Sequence, residues 1–233
     1  MISTMDKWKF LCIFFAILFL ISLHFNLTRS EQKIITIKQT CYDVQKQDKP
    51  LLTAFIVSYC PYGVQMQRAI AGAIEQAPNL SDYTEVRYIG EISNGTILSM
   101  HGPAEAEENL RQICIREEQK EKYWNYISCF ISSEDSNQCL EEVGIDLKKL
   151  DECRINESRG DEYAKKDFDI ADRYGIKGSP TLLLNKQIVN EFMFGGRSPE
   201  GVKNLVCYGS NQNFSFCAIK LNNTESDSSF FKK

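Results

Sequence analysis

The chain has 233 residues, 43% of them hydrophobic and 11% aromatic, enough to bury one core of ordinary domain size. Its net charge of −4 excludes the basic surface that nucleic-acid binding requires. His24 and His101 are its only histidines, and His24 lies in an apolar segment, so a Ser-His-Asp triad or a zinc centre fits poorly.

Lys7 and Lys9 precede residues 10–25, an apolar run without a charged side chain. Its length falls between the apolar stretch of a signal peptide and a full membrane span of about 20 residues. No small-x-small cleavage site follows, so residues 1–25 read as a signal peptide or a signal anchor. The basic flank favours a cytoplasmic N-terminus and a domain outside the cytoplasm. Residues 26–49 read as a polar stalk, with one alternating stretch at 34–37. Six Asn-x-Ser/Thr sequons lie at Asn26, Asn79, Asn94, Asn156, Asn213 and Asn222. Chance would supply about two, so the excess points to a glycoprotein of a secretory route; Asn26 lies too near the apolar run to be modified.

The folded domain is predicted over 50–217. Residues 51–59 are apolar and β-rich, a buried strand. Cys60-Pro61 follows, then Val64, Met66, Ala69, Ile70, Ala73 and Ile74 at helical spacing, with Pro61 suited to the first turn. Residues 83–92 read as a second strand. From about 103 to 174 the pattern is helical throughout. Ser136 is placed to cap a short helix ended by Gly144, and Asp146 to cap the next. Residues 161–174 form a last amphipathic helix of this stretch. Strands return at 181–185 and 188–194, joined as a hairpin, before Ser198-Pro199 opens a final helix. Residues 218–233 read as a polar tail. Strand–helix–strand, a helical stretch, then hairpin and helix is the layout of an α/β thioredoxin-like fold with an all-helical insertion, preceded here by the signal or anchor segment.

Two junctions carry the chemistry. Cys60 stands where a strand meets a helix, and unpaired N–H groups and the dipole at a helix N-terminus favour thiolate, the attacking species in disulfide exchange. A dithiol redox motif would place a second cysteine three positions on, where the chain has Gly63. Gly178-Ser179-Pro180-Thr181 precedes a strand, at the position where thioredoxin folds carry a cis-proline facing the active cysteine. Pro61, Tyr62, Ser179, Pro180 and Thr181 are therefore the expected substrate-binding residues around Cys60.

The stretch from Ser99 to Cys114 resembles the signature of the gamma-interferon-inducible lysosomal thiol reductase family, C-Q-H-G-x2-E-C-x2-N-x4-C. His101, Gly102, Glu105, Asn109 and Cys114 match it; Ser99, Met100 and Ala106 stand where the family has Cys, Gln and Cys. The resemblance runs over about 50–217, and the same segments look like DsbA-type proteins with a helical insertion. It implies a lumenal or lysosomal thiol reductase that opens substrate disulfides through Cys60. Joint absence of cysteine at 99 and 106 is what loss of one family disulfide would look like. His101 reads either as a group that tunes a neighbouring thiolate or, preferably, as part of a turn before a helix.

Eight cysteines lie outside the apolar segment that holds Cys12. Setting Cys60 aside, Cys114, Cys129, Cys139, Cys153, Cys207 and Cys217 form three disulfides, of which only Cys207–Cys217 is suggested by proximity. The other four staple the helical insertion. Cys41 is left over, to pair with another chain or with Cys60. This density of cysteine fits an oxidising compartment.

The expected activity is an extracytoplasmic thiol–disulfide oxidoreductase of the reductase or isomerase type. Cys60 attacks disulfide-containing polypeptides, and a small external thiol resolves the adduct, because Gly63 cannot. The alternative is a redox-inactive thioredoxin-fold binding or chaperone protein. Neither reading calls for a metal or a cofactor. Either places the domain in the secretory lumen, in lysosomes or outside the cell, held at a membrane if the N-terminal segment is uncleaved.

Overall fold

A computed structural model describes residues 44–155 and 157–229. The signal or anchor segment, the stalk up to residue 43, Cys12, Cys41, Asn26 and Asn156 lie outside the described residues.

The core is a four-stranded sheet of order β2-β1-β5-β6. Strand β1 (Leu52–Ile56) runs parallel to β2 (Thr84–Tyr88), and the crossover between them is helix α1 (Pro61–Gln76). Strand β5 (Thr181–Leu184) returns antiparallel to β1, and β6 (Gln187–Val189) pairs antiparallel to β5. Helix α7 (Pro199–Tyr208) then packs beside α1. Every residue of β1 is buried because both faces of the sheet are covered. Leu52, Ala54 and Ile56 join the larger core with Val64, Ala69, Ile70, Val202 and Leu205. Phe55 joins a smaller cluster on the other face with Val57, Ile89, Ala171, Ile176 and Leu183, and Cys60 belongs to that cluster.

Between β2 and β5 come a short hairpin and five helices. Strands β3 (Glu91–Ser93) and β4 (Thr96–Leu98) form the hairpin, which the reading of a single strand over 83–92 does not include. Its turn is Asn94-Gly95, both at positive φ (51° and 74°), the conformation that two-residue hairpin loops demand. The helices are α2 (Pro103–Glu118), α3 (Lys120–Ser133), α4 (Ser136–Glu142), α5 (Leu147–Ile155) and α6 (Glu157–Arg173). Helix α6 begins four residues before the expected start at 161. Asp135, not Ser136, caps α4, its carboxylate accepting from the Gln138 N–H. Ser136 is instead drawn inward, where its hydroxyl donates to Glu108 at 2.7 Å.

Disulfides Cys114–Cys153 and Cys129–Cys139 tie α2 to α5 and α3 to α4, and Cys207–Cys217 ties α7 to the turn after it. The insertion is fastened to the sheet by charge. Asp167 of α6, wholly buried, accepts from Arg87 and Arg116 and from the Tyr88 N–H of edge strand β2. Arg116 also donates to the Val86 carbonyl, so side chains take up the hydrogen bonds a further strand would make. Burial alone would lower the Arg116 pKa, but Asp167 and its hydrogen bonds hold the guanidinium above its ordinary value.

Both ends of the domain extend beyond their expected limits. Residues 44–49, expected in the stalk, lie on the domain because Asn185 is a buried amide in need of partners. Its Nδ2 donates to the Gln45 and Gly209 carbonyls and its Oδ1 accepts from the Leu51 N–H. Residues 219–229, expected as a polar tail, run back along α1. Leu221 is buried, its N–H donates to Glu200, and the Glu200 N–H donates to the Asn222 carbonyl. Farther on, Gln65 donates to the Ser226 carbonyl and Arg68 to the carbonyls of Asp227 and Ser229. The expected strand over 188–194 is shorter: β6 stops at Val189, and Glu191–Phe194 form a 3-10 turn.

Candidate active site

Strand β1 ends at Ile56 and α1 starts at Pro61, so Cys60 sits at the N-cap of α1 with extended backbone angles. Pro61 occupies the first helical position, where a missing N–H costs nothing. The four N–H groups from Val57 to Cys60 are each accounted for. Val57 donates to Ser179 Oγ (3.1 Å), Ser58 to Asn109 Oδ1 (2.9 Å), Tyr59 to Glu105 Oε1 (3.0 Å) and Cys60 to the Val57 carbonyl (3.2 Å). The loop therefore has one path, set by α2 on one side and by the Ser179 loop on the other.

The Ser179–Pro180 peptide is cis. It turns the Ser179 carbonyl toward Cys60, whose Sγ donates to it at 3.4 Å. Thr181, next in sequence, pairs with Phe55 at the start of β5, and its hydroxyl closes the turn on the Gly178 carbonyl. Cys60 is the one free cysteine among the described residues. It is 9% exposed, so little of it is open to an approaching disulfide. Tyr62 is 60% exposed, and its ring lies over the Arg197 guanidinium, which also lies against the Phe192 ring. Arg197 itself is held by Glu191 (2.9 Å) and Gln65 (2.9 Å).

The proposed site residues Cys60, Pro61, Tyr62, Ser179, Pro180 and Thr181 thus come together at one end of the sheet, where β1 finishes and β5 begins. Arg197, which joins Tyr62 to Phe192, adds to this group, and neither Arg197 nor Phe192 was singled out in the sequence. They stand some 130 residues from Tyr62, and the Gly195-Gly196 pair ahead of Arg197 was the single local signal of a tight loop there. Glu105 and Asn109 were visible as signature residues, but without a task.

His101 is paired with Glu105, Nδ1 to Oε1 at 2.8 Å, and no contact of its ring with Cys60 is present among the described residues. Asn79, Asn94, Asn213 and Asn222 are all exposed, Asn79 in the 3-10 helix Pro78–Tyr83, Asn94 in the β3–β4 turn and the other two on irregular segments. Among the described residues there is no group of three or more His, Cys, Asp or Glu able to hold a metal ion, and no helix long and apolar enough to cross a membrane.

No curated protein matches the chain. Solved structures with a similar trace include the disulfide oxidoreductase DsbA from Proteus mirabilis, at 13% identity, covering 72% of this chain and 90% of that one with a TM-score of 0.47. BdbD from Bacillus subtilis is similar at 14% identity, with coverage of 73% and 93% and a TM-score of 0.49. The family model of the gamma interferon inducible lysosomal thiol reductases matches residues 51–143, the segment that carries Cys60, the Glu105 and Asn109 supports and Cys114. Over that segment the chain is similar to the gamma interferon inducible lysosomal thiol reductases, and its thioredoxin-like fold carries a Cys60-Pro61-Tyr62-Gly63 motif with a single thiol.

Proposed function

We propose that this chain is an extracytoplasmic thiol–disulfide oxidoreductase of the reductase or isomerase type that works through Cys60 alone. The observation that carries this reading is the setting of that thiol: free, at a helix N-cap, against the carbonyl of a cis Ser179–Pro180 peptide. The family match supports disulfide chemistry at this position. Three disulfides in the domain support a home in an oxidising lumen, secretory or lysosomal.

In the first step the Cys60 thiolate attacks one sulfur of a polypeptide disulfide. The substrate S–S bond breaks, a Cys60–substrate disulfide forms, and the other substrate sulfur leaves as a thiolate that takes a proton from solvent. Gly63 has no thiol to open this adduct. A small thiol such as glutathione attacks the Cys60 sulfur and releases the substrate thiol. A second glutathione then attacks the small-molecule sulfur, regenerating Cys60 and giving glutathione disulfide. One substrate disulfide and two thiols thus become two substrate thiols and one new disulfide. In isomerisation another thiolate of the substrate attacks its own sulfur in the adduct, and Cys60 leaves without net reduction.

The test is glutathione-dependent reduction of an unfolded disulfide-containing polypeptide by the full chain and by Cys60→Ser. Turnover by the parent and its loss in the variant are expected. Equal rates in the two proteins would overturn the reading.

A binding function without turnover is favoured by one observation, the filling of the space beside Gly63 by the Ser179 hydroxyl, which leaves no room for a resolving side chain. It predicts that Cys60→Ser binds unfolded polypeptide as tightly as the parent, and that the parent shows no glutathione-dependent turnover.

A further inference from the structure

Glu105 lies in the first turn of α2, and its carboxylate is wholly buried. Removing a carboxylate from water costs several kcal/mol unless donors replace the lost hydration. Here there are four. Oε1 accepts from the Tyr59 N–H (3.0 Å) and from His101 Nδ1 (2.8 Å). Oε2 accepts from the Ser99 hydroxyl (2.7 Å) and from the His101 N–H (2.9 Å). One helical turn on, buried Asn109 accepts from the Ser58 N–H through Oδ1 and donates through Nδ2 to Ser99 Oγ at 3.0 Å. The Ser58 hydroxyl reaches the Glu105 carbonyl at 3.4 Å.

Two consecutive peptide groups directly before Cys60 are therefore held by side chains of one helix, and the Ser99 hydroxyl joins the two holders. Ser99 stands where the family signature has cysteine, so a hydrogen-bonded link occupies a position where the family has sulfur. Bonds to an ionised acceptor are shorter and stronger than neutral ones, and in a dry site they define a path closely. Attack on a disulfide needs the sulfur in line with the bond it breaks, and small misplacements of a reacting atom are expensive.

We infer that Glu105 and Asn109 are positioning residues for the Cys60 thiol, with Ser99 linking them, and that this clasp sets the approach of a docked disulfide rather than the access of small reagents. The inference rests on the reading of Cys60 as the attacking thiol. Glu105 touches neither substrate nor sulfur; it acts through the Tyr59 peptide.

The test compares two rates on the full chain: mixed-disulfide formation with a cysteine-containing peptide disulfide, and alkylation of Cys60 by iodoacetamide, which needs no fixed approach. Glu105→Ala should slow the first about tenfold relative to the second. Glu105→Gln keeps an acceptor for the Tyr59 N–H and should recover the ratio to within about threefold of the parent. Ser99→Ala, the milder change should Glu105→Ala not fold, should lower the ratio about threefold. Leu150→Ala, in α5 outside the clasp, should lower the melting temperature and leave the ratio unchanged. The inference falls if Glu105→Ala and Ser99→Ala keep the parent's ratio, if Glu105→Gln is no better than the alanine, or if Leu150→Ala shifts the ratio equally. A parent that forms no mixed disulfide would overturn the oxidoreductase reading itself, and the positioning role with it. A parent that turns over while the clasp variants match it would remove the positioning role alone.

Discussion

The Ser179 hydroxyl occupies the space that a side chain at Gly63 would need. A Cβ built on Gly63 would lie 2.6 Å from Ser179 Oγ and 2.9 Å from the Val57 carbonyl oxygen, both closer than real contacts allow. Ser179 Oγ is not free to swing away without loss, because it accepts the Val57 N–H. Restoring a second cysteine is thus not a matter of one substitution. Gly63→Cys should destabilise the fold by about 1–3 kcal/mol, the usual range for overpacking a tight site. Adding Ser179→Ala should not restore the parent's stability, since it relieves the clash with Oγ but strands the buried Val57 N–H, at about 1–3 kcal/mol, and the Val57 carbonyl stays. Urea unfolding of the single and double variants measures both effects.

Without an internal resolving thiol, the adduct on Cys60 should last as long as no external thiol is present. Mixing the full chain, with Cys60 as the free thiol and no other thiol present, with an unfolded disulfide-containing protein should therefore give a one-to-one covalent complex that accumulates instead of passing through. Non-reducing mass spectrometry reads it directly. Glutathione should dissolve the complex, and Cys60→Ser should never form it. Decay without glutathione should stop when the thiol released from the substrate is trapped by alkylation, because that thiol can itself expel Cys60; decay that persists after trapping would show a resolving group outside the described residues.

Much of this site could be read from sequence because its parts are local. Cys60-Pro61 is a strand end followed at once by a helix start, and Ser179-Pro180 stands directly before an apolar strand. What sequence did not disclose are partners joined only by folding. Arg197 meets Tyr62 because α7 packs beside α1, and nothing near either residue announces it. The β3–β4 hairpin was legible in principle, since Asn94-Gly95 is a strong turn signal, but strands of three residues are too short for alternation to stand out. Residues 219–229 look like a tail because their composition is polar. Their ordering comes from backbone carbonyls meeting Gln65, Arg68 and Lys203, which composition cannot record.

Burial of tyrosine makes alkaline pH a probe of the insertion. Tyr88, Tyr123 and Tyr126 lie on a buried polar network with Gln112 and Glu108, Tyr88 bonding Tyr123 at 3.0 Å and Tyr126 bonding Glu108 at 2.9 Å. Burial raises all three pKa values above 10, and for Tyr126 the Glu108 charge adds to it. Because the folded state keeps these protons while the unfolded chain releases them near pH 10, stability is full below pH 10 and falls as pH rises beyond it. The slope should approach about 1.4 kcal/mol per pH unit for each tyrosine still protonated in the folded state. With Cys60 blocked, unfolding free energies at pH 8, 10 and 11 should show this fall. Tyr123→Phe should reduce the slope, and a flat profile would contradict the burial of these hydroxyls.

The segment after Cys217 should matter to stability and to the active-site helix alike. Leu221 is buried at 5% exposure beside Val202 and Leu205, so Leu221→Ala should cost about 2–4 kcal/mol, as other buried leucine truncations do. From there the chain reaches the first turns of α1, where Gln65 holds both the Ser226 carbonyl and the Arg197 guanidinium. The Ser226 N–H in turn donates to the Arg197 carbonyl. Loosening this strap should free Arg197, and with it the rings of Tyr62 and Phe192 that lie against its guanidinium. Removal of residues 224–233 keeps Leu221 in place and should therefore leave most of the stability while raising amide exchange over 191–198. If exchange there is unchanged after truncation, the strap and the Arg197 loop are independent, and the ordering of Tyr62 has another source.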